Sequence, residues 1–222
     1  MAVNWFPLWL SLRVAALATL VSLALGLWIA YVLANRKYRG KELLDAVVTL
    51  PLVLPPTVLG YYLLVALGRT SPLGHLYEYL FGAPLVFTWQ AAVVASTFHA
   101  IPLLVKSARA AFETVDRSYE KAARNLGASD WRVFWRVTLP LSRRAVIAAS
   151  VLAFARALGD FGATLMIAGD IPGRTQTASI AIYDAVESGN TLVARVLVLV
   201  LSALAIVIVY AANRLQQRQV IG

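Results

Sequence analysis

Long apolar runs alternate with charged loops along the chain. The first run, from about Val14 to Ala34, lies between Arg13 and Arg36 with no charge inside it. A second covers about Leu43 to Leu67, a third about Leu85 to Val105, and a fourth about Ala145 to Ala168, interrupted by Arg156 and Asp160. A fifth fills the interval between Arg195 and Arg214. Each is close to the roughly 20 residues that carry a helix across a hydrocarbon core about 30 Å thick. The fifth run is rich in β-branched residues, but its length selects helix over strand. The pattern predicts an all-α polytopic transmembrane helical bundle of about five spans, a single transmembrane domain over residues 1–222.

Between the third and fourth runs the chain turns polar, in EKAARNLGASDWRVFWRVTLP from Glu120 to Pro140. Residues Arg117 to Leu126 read as a short helix that Gly127 ends. Ser129 or Asp130 caps a second helix running through Arg136. Pro140 is expected to stop it before the fourth span. Two short helices at an angle make a protruding knob, with Trp131, Phe134 and Trp135 supplying the aromatic surface that anchors protein interfaces. An amphipathic pair lying on the lipid surface fits the same composition.

Composition agrees with the pattern. Of 222 residues, 60% are hydrophobic and 14% charged, against nearly half apolar and a quarter charged in soluble domains. The net charge of +9 is compatible with nucleic acid, but its placement argues otherwise. Loop 35–42, loop 106–144 and the C-terminal tail alternate onto one side and hold fifteen Lys and Arg. Loops 68–84 and 169–191 hold only Arg69 and Arg174. By the positive-inside rule the N-terminus is outside and the C-terminus cytoplasmic, and nucleic acid needs no role. The first residues lack a basic n-region and the following run is long for a cleaved signal, so the first span is expected to be retained. Trp5, Phe6 and Trp9 suit an interfacial belt, and Arg13 suits snorkelling to the headgroups. There is no cysteine, which excludes disulfides and thiol chemistry. No metal cluster or catalytic triad stands out.

Polar residues inside the spans are the candidates for a translocation pathway. Arg156 and Asp160 lie four apart on one helix face, and a central charge costs about 3 kcal/mol on insertion scales. They therefore face protein or water, either lining a path or closing a helix contact. The Arg-before-Asp order is the weaker one within a helix, so partners on other helices are expected. Pro51, Pro55 and Pro56 break the second span, as happens where backbone is buried or lines a cavity. His99 and Pro102 are expected to end the third span near the cytoplasm, with His99 as a gate or a helix-contact residue. Gln90, Ser96 and Thr97 offer neutral donors. Gly159, Gly162 and Gly169 suggest close approach or hinging.

Ala122-Ala123-x3-Gly127-x9-Val137-x-Leu139-Pro140 resembles the EAA loop of binding-protein-dependent ABC importer permeases. Lys121 stands where that family has Glu, with Glu120 one residue earlier, and Val137 replaces Ile. The segments Leu50 to Arg69, Leu85 to Ser96 and Phe154 to Thr177 are similar to the molybdate permease branch, which typically carries Glu and Asn where this chain has Asp160 and Asp170. The resemblance implies an ABC importer type I permease fold and a cytoplasmic coupling loop, 109–140. It assigns the ATPase-coupling role to Glu120, Lys121, Ala122, Ala123, Gly127, Leu139 and Pro140. Pro55, Pro56, His99, Arg156 and Asp160 remain the pathway candidates.

There is no G-x-x-x-x-G-K-[ST] segment, so no enzymatic activity is expected of this chain. It needs no cofactor of its own, and ATP and Mg belong to a partner ATPase. The partners implied are a second copy of the chain, two cytoplasmic ATPase subunits, an extracytoplasmic oxyanion-binding protein and the lipid bilayer. The setting is a bacterial or archaeal cytoplasmic (inner) membrane. The expected cargo is a tetrahedral oxyanion, molybdate first, with sulfate and tungstate as alternatives. An autonomous channel or a membrane scaffold is the reading from a different class.

Overall fold

The computed structural model describes residues 4–35 and 39–217. Arg36, Lys37 and Arg218, used above for orientation, lie outside the described residues. Among those described, all regular structure is helical. The long helices are α1 (Phe6–Asn35), α5 (Trp89–Glu113), α8 (Leu139–Leu158) and α11 (Thr191–Gln217). Shorter ones are α2 (Lys41–Val53), α3 (Pro56–Leu67), α4 (Pro72–Phe81), α6 (Arg117–Asn125), α7 (Asp130–Val133), α9 (Gly162–Ala168) and α10 (Ala178–Glu187).

Helices α1, α5 and α8 form the core, and small residues make it possible. Ala15, Ala18 and Ala30 of α1 meet α5 and α8, which contribute Ala100, Ala108 and Ala153, all buried. A Cβ added to Gly26 of α1 lies 2.7 Å from Leu104 Cδ2 of α5. Lipid tails compete with any large apolar side chain, so close backbone approach between small residues is what holds membrane helices together.

Among the described residues, four helices are long and apolar enough to cross a membrane, and α2 with α3 form a bent pair that brings the total to five if counted as one span. That pair is the second span, broken as expected, at Pro55-Pro56. The chain bends by 112° between its halves, because Leu54 (ψ 140) precedes Pro55 and Pro55 (ψ 137) precedes Pro56, and a residue before proline is driven out of the helical region. Pro51 sits inside α2 without ending it.

Three further boundaries differ from expectation. The third span starts at Trp89, where the Thr88 hydroxyl accepts the Ala91 N–H at 3.3 Å. It runs through Pro102 to Glu113, so His99 is well inside the helix and does not mark its end. Pro140 does not stop the second knob helix: a π turn over Phe134–Thr138 carries α7 directly into α8. Proline lacks only the donor that a first helical turn leaves free, and the wider turn accommodates its ring. The fourth span ends at Leu158 and resumes only at α9.

The two broken spans pack on each other. A Cβ on Gly60 of α3 lies 2.7 Å from Met166 Cβ and 3.1 Å from Ala163 Cα of α9, and one on Gly162 lies 2.9 Å from Pro56 Cβ. Gly60→Val is therefore expected to destabilise the protein by about 1–3 kcal/mol, the usual cost of overpacking. Thermal unfolding of the purified chain checks this, with Tyr61→Val, on the exposed face of the same helix, expected to be near neutral.

Candidate functional site

Two places gather the polar chemistry. The first is the break between α8 and α9. Asp160 sits in it, buried, with His99 Nδ1 of α5 at 2.7 Å from Oδ1. The Thr164 hydroxyl donates to Oδ2 at 2.5 Å, and Arg156 Nη1 stands 3.7 Å from Oδ1. The partner expected on another helix is thus His99, while Arg156 makes only a long contact from its own helix. The Arg156 side chain remains 32% exposed, against 2% for Asp160. Asp160 consequently bridges α5, α8 and α9, and leaves part of a guanidinium open beside it.

Pro55 and Pro56 lie close by through the Pro56–Gly162 contact, both exposed on the single chain. Thr97 is not a free donor, because its hydroxyl bonds the Val93 carbonyl at 2.7 Å. Phe87 was not singled out by sequence, yet its N–H donates to the Ile167 carbonyl at 2.8 Å and pins the connector before α5 to the end of α9. It does so at φ 61, a left-handed conformation that bulky residues adopt only under constraint.

Loop 169–191 is compact. Ile171 accepts from the N–H groups of Arg174, Thr175 and Gln176, and the Ala178 N–H donates to Ser11 Oγ of α1 at 2.8 Å. Burial pushes the Asp170 carboxyl pKa up, the Asp184 charge adds to this, and the Gln176 amide opposes it. What remains exposed is the 172–174 turn and one face of α10 with Tyr183 and Val186.

The second place is the knob. Asp116 caps α6, its carboxylate accepting the Ser118 N–H at 2.8 Å. Gly127, at φ 81, supplies the left-handed residue that closes α6, and Ser129 caps α7. Glu120 is 3% exposed. Its carboxylate accepts from Asn35 Nδ2 of α1 at 3.2 Å and from the Thr138 hydroxyl at 2.5 Å. Arg124 joins it to Asp130 and to the Tyr31 hydroxyl. Burial works against the Arg124 charge, but the hydrogen bonds to Asp130 and Tyr31 and the Glu120 charge outweigh it and raise its pKa.

Beside this network the buried rings of Tyr31, Phe112 and Phe134 pack on one another and, through Tyr31 and Phe134, on Trp28, Trp131 and Trp135, at centroid separations of 5.0 to 6.4 Å. Glu120 therefore faces inward. Lys121, Ala122, Gly127 and Pro140 are exposed, whereas Ala123 and Leu139 are half-buried. Leu126 is 89% exposed and Tyr119 and Trp131 are also open. The knob is tied to the bundle by its inner face, and its outer face sets Tyr119, Leu126 and Trp131 among Arg117, Lys121, Arg132 and Arg136.

This fold defines a class. In an inward-facing structure of the MetNI methionine ABC transporter, one chain superposes with TM-score 0.73 at 17% identity, covering 96% of this chain and 94% of that one. The model of the binding-protein-dependent transport system inner membrane component family matches residues 22–221, and the chain belongs to that family. The molybdenum transport system permease protein ModB of Escherichia coli K12 is 47% identical over 186 residues, 83% of this chain and 81% of that relative. A more distant relative, a sulfate transport system permease protein of Chlorokybus atmophyticus, is 32% identical over 206 residues, 93% of this chain and 72% of its own length.

Glu120→Ala leaves the Asn35 amide and Thr138 hydroxyl unpaired, at an expected cost of about 1–3 kcal/mol. Lys121→Ala, exposed one residue on, is expected to be near neutral in the same thermal unfolding measurement. Asp160→Ala strands the buried His99 and is expected to cost more, about 3–5 kcal/mol, with Asp160→Asn falling between it and wild type.

Proposed function

We propose that two copies of this chain form the translocation path of an ATP-driven importer for molybdate in a bacterial or archaeal cytoplasmic membrane. The observation that carries this reading is the 47% identity to a molybdenum permease over more than four-fifths of both chains, against 32% to the sulfate permease. The chain itself hydrolyses nothing and holds no cofactor; ATP and Mg act on a separate ATPase pair. An extracytoplasmic binding protein delivers the ion, and a structural relative, an alginate transporter, is seen with its periplasmic protein.

The geometry supports a mechanism. The outer face of the knob, with Leu126, Trp131 and Ala122, meets the ATPase. Closure of the ATPase pair pulls two such knobs together. Glu120, bonded to Asn35 and Thr138, passes that displacement into α1 and, through the π turn, into α8. At the far end of α8 the chain is already broken around Asp160. Movement of α8 is absorbed there without rupturing a continuous helix, and the close α3–α9 contact carries it to α3. The exposed Pro55-Pro56 break and the half-open Arg156 then line the space between two copies. With Arg156 partly neutralised by Asp160, the ion is held weakly enough to leave, as conduction requires. The charge asymmetry of the loops supports an outside N-terminus and a cytoplasmic C-terminus.

Reconstituted vesicles holding the permease, ATPase and binding protein test the cargo. Molybdate uptake is expected to survive an equal concentration of unlabelled sulfate, and abolition by sulfate overturns the choice of ion. Leu126→Asp is expected to reduce ATPase co-purification at least tenfold without lowering the unfolding temperature. Uptake without any ATPase present would instead favour an autonomous channel.

A further inference from the structure

An apolar groove of about 570 Å³ opens on the outer surface of the helix bundle between α1, α8 and α11. Its walls are Leu23 of α1, Ile147, Val151 and Phe154 of α8, and Val207 and Ala211 of α11. Ser150 also borders it, but its hydroxyl is spent on the Val146 carbonyl at 2.7 Å. The groove therefore has no polar group to offer and suits a hydrocarbon chain.

One end of the groove is basic. Arg143 lies four residues before Ile147, one helical turn along the same face, and is exposed. Arg214 follows Ala211 by three residues on α11, which brings it to the same face there, and is also exposed. Because α8 and α11 run in opposite directions, both arginines stand beyond the same end of the groove. Arg214 is held in place by its own helix: its Nε donates to the Tyr210 hydroxyl at 2.8 Å. An apolar slot with two cations at one mouth complements a single amphiphile, with acyl chain along the slot and anionic head at the rim.

We propose that this groove binds an anionic phospholipid, its phosphate at Arg143 and Arg214 and one acyl chain against Ile147, Val151 and Val207. Basic rims between transmembrane helices are suited to such headgroups. Placing the rim in the cytoplasmic leaflet rests on the orientation proposed above, whereas the groove and its basic mouth do not. A lipid wedged between α1, α8 and α11 also lies against α8, the helix that carries the knob's displacement in the mechanism proposed above.

Native mass spectrometry of the purified full-length chain tests this, after exchange into mixed micelles with equal dioleoyl phosphatidylglycerol and dioleoyl phosphatidylcholine. Wild type is expected to retain phosphatidylglycerol preferentially. Arg143→Gln and Arg214→Gln are each expected to cut that preference roughly fivefold, the weight of one basic side chain at an anionic surface. Ile147→Trp, at an exposed position that needs no repacking, is expected to lower retention of both lipids by filling the slot. Equal retention of the two lipids by wild type, or a preference unmoved by the arginine variants, overturns the proposal. The chain has no cysteine, so Ile147→Cys gives a clean second measurement. Efficient Ile147→Cys disulfide formation between two copies in native membranes assigns the groove to a protein contact and also overturns it. Failure of either measurement leaves the transport reading untouched, because uptake is assayed separately.

Discussion

A backbone break inside hydrocarbon has no water to satisfy it, so it persists only where protein supplies the missing partners. Among the described residues there are two such breaks, one between α2 and α3 and one between α8 and α9, and they pack together. Gly162 gives Pro56 room, and Gly60 gives Ala163 and Met166 room. The carboxylate of Asp160 then closes the second break by gathering His99 from α5 and Thr164 from α9. The Ile167 carbonyl at the end of α9 finds the Phe87 N–H. Pairing the two breaks sets α3 against α9, while Asp160 ties the end of α8 to α5 and α9.

The opposite end of α8 is built differently. There the helix is continuous with the knob through a π turn, and buried aromatic contacts with the Glu120 network hold the knob against α1 and α5. A rigid attachment at one end and a yielding break at the other make α8 a lever. In the mechanism proposed above, such an element turns a displacement at the ATPase into a change in the path without unfolding any hydrogen-bonded turn. The alanine-rich contacts of α1 and α5 give it a fixed support, because close backbone contact between small residues leaves little slack.

Periodicity and composition made the spans legible, since a length of apolar residues near 20 has few other uses. They also made the knob legible: Gly127 closes α6 and Ser129 caps α7 as their chemistry demands. Proline was the less reliable guide. Pro102 and Pro51 are absorbed inside helices, Pro140 opens one, and only Pro55-Pro56 bends the chain sharply. The outcome depends on whether neighbours supply what the missing N–H withdraws, which local sequence does not state. Phe87 carried no sequence signal, because its constraint is a bond to a residue on another helix.

The sequence by itself determined the membrane class, the loop charge asymmetry and the knob with its caps, because each depends on residues adjacent along the chain. It also placed Arg156 and Asp160 on one face, and marked the pair as unfit for lipid. Only the tertiary structure decided that Asp160 belongs to His99, that Glu120 points inward to Asn35 and Thr138, and that the two broken spans lean on one another. Those choices rest on which helices approach closely enough for a glycine to be required, and that is set by the packing of distant segments.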